Sequence, residues 1–108
     1  MEKRSYTERD EELARYAKAL GHPARVAILK FLAAQENCYF GELNEVVPLT
    51  KATVSQHLAE LKDAELITGQ FEPPKVRYCI NRERWEHARL LIAEMFGSYN
   101  KAQSKCCD

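Results

Sequence analysis

The residues of this chain best able to do chemistry are four cysteines and the polar face of one short segment. Cys38 lies in "NCYFGEL" and Cys79 in "VRYCI", while Cys106 and Cys107 are adjacent near the end. Thiolates are soft ligands for thiophilic ions and are also the form that oxidants attack. Neighbouring cysteines such as Cys106 and Cys107 rarely reach the geometry of a disulfide. In a reducing compartment the four therefore read as free thiols, and no disulfide framework is expected. The second feature is "TKATVSQHLAELKDAELI", Thr50 to Ile67. Val54, Leu58 and Leu61 fall on one side of a helix there, with Glu65 in line. Ala52, Gln56, Ala59 and Asp63 fall on the other, with Thr53 and Ser55 on the flanks. A face kept only for solubility would carry more Lys and Glu. This one carries hydroxyls and an amide, which can donate to or accept from a partner.

The elements that hold these residues follow from hydrophobic spacing. Leu13, Tyr16, Ala17 and Leu20 predict an amphipathic helix over about 7–20, ended by Gly21. "HPARVAILKFLAA" starts a second helix with Pro23 in its first turn. Residues 37–39 read as a connection, and Phe40, Leu43 and Val46 predict a short third helix that Pro48 ends. Thr50 is a natural N-cap for the helix that follows. "LITGQF" and "VRYCI", separated by "EPPK", predict a hairpin with a stiff proline tip. Trp85, Ala88, Leu91, Ile92, Met95, Phe96 and Tyr99 line a last helix over about 82–99. Beyond residue 100 the composition turns polar and aperiodic, and a mobile tail over about 100–108 is expected.

The whole chain thus reads as one domain over 1–108, mostly α with a small β-hairpin, an α+β winged helix-turn-helix. In that motif the second helix enters the major groove of DNA with its N-terminal residues against base edges. Gln56 can pair with adenine, Ala52 can rest on a thymine methyl, and Thr53 and Ser55 can reach bases or phosphates. His57 packs at the helix edge or touches phosphate. Sixteen basic residues balance sixteen acidic ones, so net charge neither requires nor forbids a polyanion. Locally, however, Lys51, Lys62, Lys75 and Arg77 fall on or beside the groove-facing elements, where phosphate contacts would supply most of the affinity. No apolar window is long enough to span a membrane, and the polar start "MEKRSYTERDEE" lacks a secretion signal, so a cytoplasmic protein without a membrane partner is expected. No Gly-rich phosphate loop, nucleophile elbow or nucleophile–base spacing occurs, and an enzyme is not expected.

"LGHPARVAILKFL", "GEL", "LTKATVSQHLAELKDAELI" and "VRYCIN" resemble the arsenic-repressor (ArsR) family of bacterial winged-helix, metal-sensing repressors, over about residues 10–96. The resemblance implies a homodimer that binds a palindromic double-stranded operator without any cofactor and leaves it when an inducer binds. The apolar stripes of the terminal helices point the same way. Leu13, Tyr16, Leu20, Trp85, Ala88, Ile92, Met95, Phe96 and Tyr99 are the expected dimer contacts. The inducer positions of the family are incomplete here. Phe40 stands where a second thiolate of a Cys-x-Cys pair is expected after Cys38. Ser98 and Lys101 stand where a second histidine would follow His87. Arsenite, as the resemblance implies, takes three thiolates: Cys106 and Cys107 on the tail, and a third from Cys38 or Cys79, with Cys38 favoured for its nearness to the reading unit. The alternatives are a redox or non-metal inducer acting on the same thiols, and a winged helix that contacts protein.

Overall fold

The computed structural model describes residues 5–105. Cys106 and Cys107, and with them the expected tail site, lie outside the described residues. Four helices, α1 (Glu8–Ala19), α2 (Pro23–Ala33), α3 (Lys51–Asp63) and α4 (Arg82–Gly97), surround a three-stranded antiparallel sheet of β1 (Tyr39–Phe40), β2 (Ile67–Glu72) and β3 (Lys75–Ile80). The sheet order is β1-β3-β2.

Each helix starts where a side chain can take a free amide. Thr7 and Asp10 form a reciprocal capping box at α1, which satisfies two donors at once. His22 Nδ1 accepts from the Ala24 amide at 3.0 Å, and Pro23 takes the first helical position of α2, where its missing N–H costs nothing. Asn81 caps α4 by accepting from the Arg84 amide. The apolar sides of the helices then meet in one core. Ile28 of α2, Leu61 of α3 and the adjoining Leu66 and Ile67 are fully enclosed, joined by Tyr16 and Ala19 from α1 and by Ala88 and Leu91 from α4.

The expected third helix is a correction. Only a 3₁₀ turn forms, Leu43–Glu45, and its entry residue Glu42 makes no side-chain cap. Leu43 is buried and Val46 packs on the core, but Phe40 is exposed because it belongs to β1 instead. The expected connection before it is likewise partly strand. β1 pairs with β3 as Tyr39↔Tyr78 and Phe40↔Arg77. The hairpin is as expected: β2 and β3 pair from Ile67↔Ile80 to Glu72↔Lys75, with Pro73–Pro74 as the two-residue tip, joined by a cis bond. Past α4, Lys101–Lys105 forms 3₁₀ turns.

Candidate nucleic-acid interface and thiol pair

Helix α3 is fixed at both ends. Thr50 Oγ1 accepts from the Thr53 amide at 3.3 Å and donates to the Thr53 hydroxyl at 3.0 Å, so Thr53 is half-committed to the cap. Inward, Val54, Leu58 and Leu61 are buried. At the far end the Leu66 amide bonds Leu61 O at 3.1 Å and the Glu65 amide bonds Lys62 O at 2.9 Å, the paired bonds of a Schellman stop. Its left-handed position, φ 62°, is held by Glu65 where glycine is usual. Glu65 therefore lies past the helix, and its carboxylate meets Arg84 at 3.0 Å.

What this leaves outward is the set of small and amide groups. Lys51, Ala52, Ser55 and Gln56 are all exposed along the N-terminal half of α3. Of the basic residues around them, Lys51, Lys75 and Arg77 have acidic neighbours. Lys51 lies 3.4 Å from Glu42. Arg77 donates to Gln70 Oε1 at 2.6 Å, and its Nε stands 3.1 Å from Glu72 as an ion pair without hydrogen-bond alignment. Lys75 faces Glu72 across the ladder. Lys62 lies 5.8 Å from the centre of the Tyr78 ring. A side chain at position 69 would meet its Cε at 2.8 Å, so the Lys62 side chain lies directly over Gly69 and would have to swing aside for a larger residue there. Burial, and after it the charge of Glu42, raises the Tyr78 phenol above its ordinary value.

His57 turns away from the outer face. Its Nδ1 accepts from Arg25 Nε at 3.2 Å and its ring lies 4.3 Å from that of His22. Burial first, then the charges of His22 and Arg25, lower its pKa. Arg25 also donates to the carbonyls of Lys18 at 2.9 Å and Ala19 at 3.3 Å. One guanidinium thus joins the end of α1, the start of α2 and the middle of α3. "HPAR" gave the proline signal in the sequence, but nothing in it indicated this joint.

The cysteines are the second correction. Cys38 and Cys79 are joined in a disulfide with Cα atoms 4.5 Å apart, not free as expected. The reason is the β1–β3 register: the pairing Tyr39↔Tyr78, continued one step, sets residue 38 opposite residue 79. The spacing is that of a directly opposed, non-hydrogen-bonded pair. The expected choice between Cys38 and Cys79 therefore dissolves, because the fold brings both to one place. Tyr78 faces the core and is buried, while Cys79 is half-exposed on the opposite face. Beside the bond opens a cavity of about 590 Å³ that Gln35, Asn37, Tyr78, Arg82 and Trp85 also line. Among the described residues no three His, Cys, Asp or Glu groups are placed to hold a metal ion together. His87, which has no second histidine to follow it, is engaged within the chain: Tyr16 Oη lies 2.7 Å from its Nδ1 and Glu12 3.4 Å from its Nε2.

The candidate dimer residues divide. Tyr16 is 2% exposed and Ala88 is also buried, so these two serve the core of their own chain, a correction that follows from α1 packing on α4 within one molecule. Leu13, Leu20 and Trp85 are partly buried against that core, and Ile92 is half-buried. Met95, Phe96 and Tyr99 are 49%, 69% and 61% exposed. Leu20, Trp85, Ile92 and Phe96 line one apolar groove with Leu29 and Leu66.

A hairpin-flanked α3 with an outward polar face defines a winged helix-turn-helix, a DNA-reading class. The match of residues 22–68 to the model described as "Bacterial regulatory protein, arsR family" agrees. The chain is 36% identical over 73 residues to the HTH-type transcriptional regulator YgaV of Escherichia coli, covering 68% of this chain and 74% of that one. It is 38% identical over 72 residues to the HTH-type transcriptional regulator CmtR of Mycobacterium tuberculosis, covering 67% and 60%. The solved structure of CmtR, a cadmium metal-sensor, superposes with a TM-score of 0.54 at 36% identity over 71% of this chain and 76% of that one. The ArsR-family regulator RHA00566 shares the fold with a TM-score of 0.68 at 20% identity, over 91% of this chain and all of that one. The chain belongs to the arsR family of bacterial regulatory proteins, and is a DNA-binding transcription regulator.

Proposed function

We propose that the chain acts in the cytoplasm as a homodimeric repressor, one domain per protomer, that reads a double-stranded operator through α3 and the wing. The observation that carries this is the outward set Ala52, Ser55 and Gln56, exposed on a helix whose other side is locked into the core by Val54, Leu58 and Leu61. Gln56 takes an adenine edge, while Lys51, Lys62, Lys75 and Arg77 take phosphates. Thr53 contributes through its shared cap hydroxyl. His57, tied to Arg25, positions the helix and does not read bases. The dimer forms where Met95, Phe96 and Tyr99 stand exposed on and just beyond α4 and where the apolar groove ends, since an isolated chain leaves these aromatics in water. The repressor needs no cofactor to bind DNA and is released by a thiophilic inducer, arsenite or a related soft ion, taken by cysteine thiolates among Cys38, Cys106 and Cys107. A redox trigger is the second reading, favoured by the closed Cys38–Cys79 bond.

The test is fluorescence anisotropy of a labelled duplex from the protein's own promoter. The wild type binds and loses affinity steeply with salt. Gln56→Ala weakens operator binding by about 1–3 kcal/mol and relaxes preference at one position, whereas Lys75→Gln lowers the salt slope by about one without changing preference. Equal binding of operator and random duplex, unaffected by Gln56→Ala, refutes the reading.

A further inference from the structure

We propose that Arg25 is a positioning residue for operator recognition: anchored on the last carbonyls of α1, it sets the roll of α3 through His57 and so decides where Ser55 and Gln56 meet the bases. Its effect on DNA rests on the repressor reading above; the joint itself does not.

The bonds are directional and come from one flat group. Arg25 Nη1 donates to the carbonyls of Lys18 at 2.9 Å and Ala19 at 3.3 Å, and Nε donates to His57 Nδ1 at 3.2 Å. α1 ends at Ala19, so these carbonyls belong to the turn that lacks helical partners, where a cation is also favoured. The guanidinium is planar, so fixing Nη1 fixes the direction of Nε. Lysine, with one terminal nitrogen, has no such fork.

His57 stands where the roll of α3 is decided. Ser55 and Gln56 before it are exposed, and Leu58 after it is buried. Val54, Leu58 and Leu61 hold α3 to the core, but apolar burial has no direction. The ion pairs at the ends of α3, Lys51–Glu42 and Arg15–Asp63, are exposed and hold weakly. A roll of about 15° carries a side-chain tip, roughly 5–6 Å from the helix axis, through about 1.5 Å. That is enough to break a base contact, which needs donor and acceptor about 2.7–3.2 Å apart.

The joint also works without an acid. Among the described residues, the ion pairs leave out Arg25, His22 and His57. From α2, Arg25 and His22 face His57; from α1 the joint receives carbonyls. Glu60 follows one turn on along α3, Glu45 lies on the 3₁₀ turn packed against α3, and Glu72 of β2 is paired with Arg77. The acceptor is therefore a neutral imidazole. A proton on Nδ1 turns it into a donor, and the Arg25 bond is lost. Burial, then the charges of His22 and Arg25, keep that proton off at neutral pH.

The experiment compares anisotropy of a labelled promoter duplex and a random duplex, using the full chain. Arg25→Gln should lower the preference for the promoter duplex by about tenfold, the worth of one base contact, while binding to random duplex and the salt slope stay as in the wild type. Arg25→Lys should lose the same preference although it keeps the charge. His57→Asn sets an amide oxygen where Nδ1 stood and should keep the preference. From about pH 7.5 to about pH 5 the wild type should lose preference and His57→Asn should lose less, the difference belonging to His57. Circular dichroism checks each fold; if Arg25→Gln does not fold, this pH comparison decides. Unchanged preference in folded Arg25→Gln overturns the assignment, and so does full rescue by Arg25→Lys or an identical pH profile in His57→Asn. Equal weakening on both duplexes with a salt slope lower by about one overturns it as well, since Arg25 then touches phosphate. Histidine-labelled NMR tests the joint without DNA: Arg25→Gln should raise the pKa of His57, and an unchanged titration overturns the joint. A wild type that shows no preference for the promoter duplex refutes the repressor reading instead, while the NMR titration still decides the joint.

Discussion

Opening the Cys38–Cys79 bond removes about 4 kcal/mol of stability, a figure that follows from where the bond sits. It joins residues 41 apart in sequence. Closing a loop of that length in the unfolded chain costs, by the chain-entropy relation, about 13 cal/mol/K, or about 4 kcal/mol at 25 °C. A domain of this size is held by roughly 5–15 kcal/mol in total, so reduction takes a quarter or more of it. The reduced chain still folds, because the β1–β3 pairs and the core around Ile28, Leu61, Leu66 and Ile67 do not depend on the bond. The assay is urea unfolding followed by circular dichroism, with and without a phosphine reductant. With m of roughly 1.5 kcal/mol/M for a small domain, the midpoint falls by about 2–3 M on reduction. Cys79→Ala should unfold near the reduced midpoint and ignore the reductant. A reduced midpoint within about 0.3 M of the oxidised one refutes the reasoning, since it means that the loop is not closed in the folded protein.

Three further outcomes are expected. His57 has a pKa below its ordinary value of 6.5, so the unfolded chain binds the proton more readily; its contribution to stability is full above that value and is lost as pH falls from about 6.5 toward the folded pKa. His57→Gln should flatten this part of the pH–stability curve in urea titrations. Glu65→Gly should stabilise by about 0.5–1 kcal/mol, because release of the left-handed strain exceeds both the flexibility gained when unfolded and the exposed Arg84 pair; Glu65→Val, which cannot relax there, should destabilise by a similar amount or more in the same assay. Phe96→Glu places a charge in the apolar groove beside α4, and should shift the protein toward monomer in sedimentation and weaken operator binding at low concentration. Unchanged sedimentation would remove α4 from the dimer contact.

Long elements were legible in the sequence where a period repeats often enough to be recognised. The helices α1, α2, α3 and α4 carry three or more turns each, and the hairpin is marked at its tip by Pro73 and Pro74. β1 has two residues, too few to show any alternation, and Leu43–Glu45 has one turn. Misreading that stretch as a helix hid the register that unites Cys38 with Cys79. The apolar stripes of α1 and α4 were visible, but periodicity cannot tell which molecule covers a stripe. Tyr16 and Ala88 went to the core of the same chain, while Phe96 and Tyr99 stayed outside. The reading face of α3 was the most legible part of the site, since its residue types depart from those of a solvated face. His57 was not separable from that face by position alone. Only its contact with Arg25, from an element 32 residues away, turns it inward.

The Pro73–Pro74 tip sets the terms on which the wing can meet anything at its end. Proline has no amide hydrogen, so the two residues that project farthest offer carbonyl oxygens alone. Those oxygens repel a phosphate; a nucleic-acid backbone approaching the tip finds no main-chain donor to hold it. Attraction there falls to Lys75, and to Arg77 if it exchanges Gln70 and Glu72 for a new partner. The same missing hydrogens deny a neighbouring strand the means to extend the ladder around the bend. The hairpin therefore ends in a surface inert to both polyanion and strand, and leaves recognition to the flanks behind it.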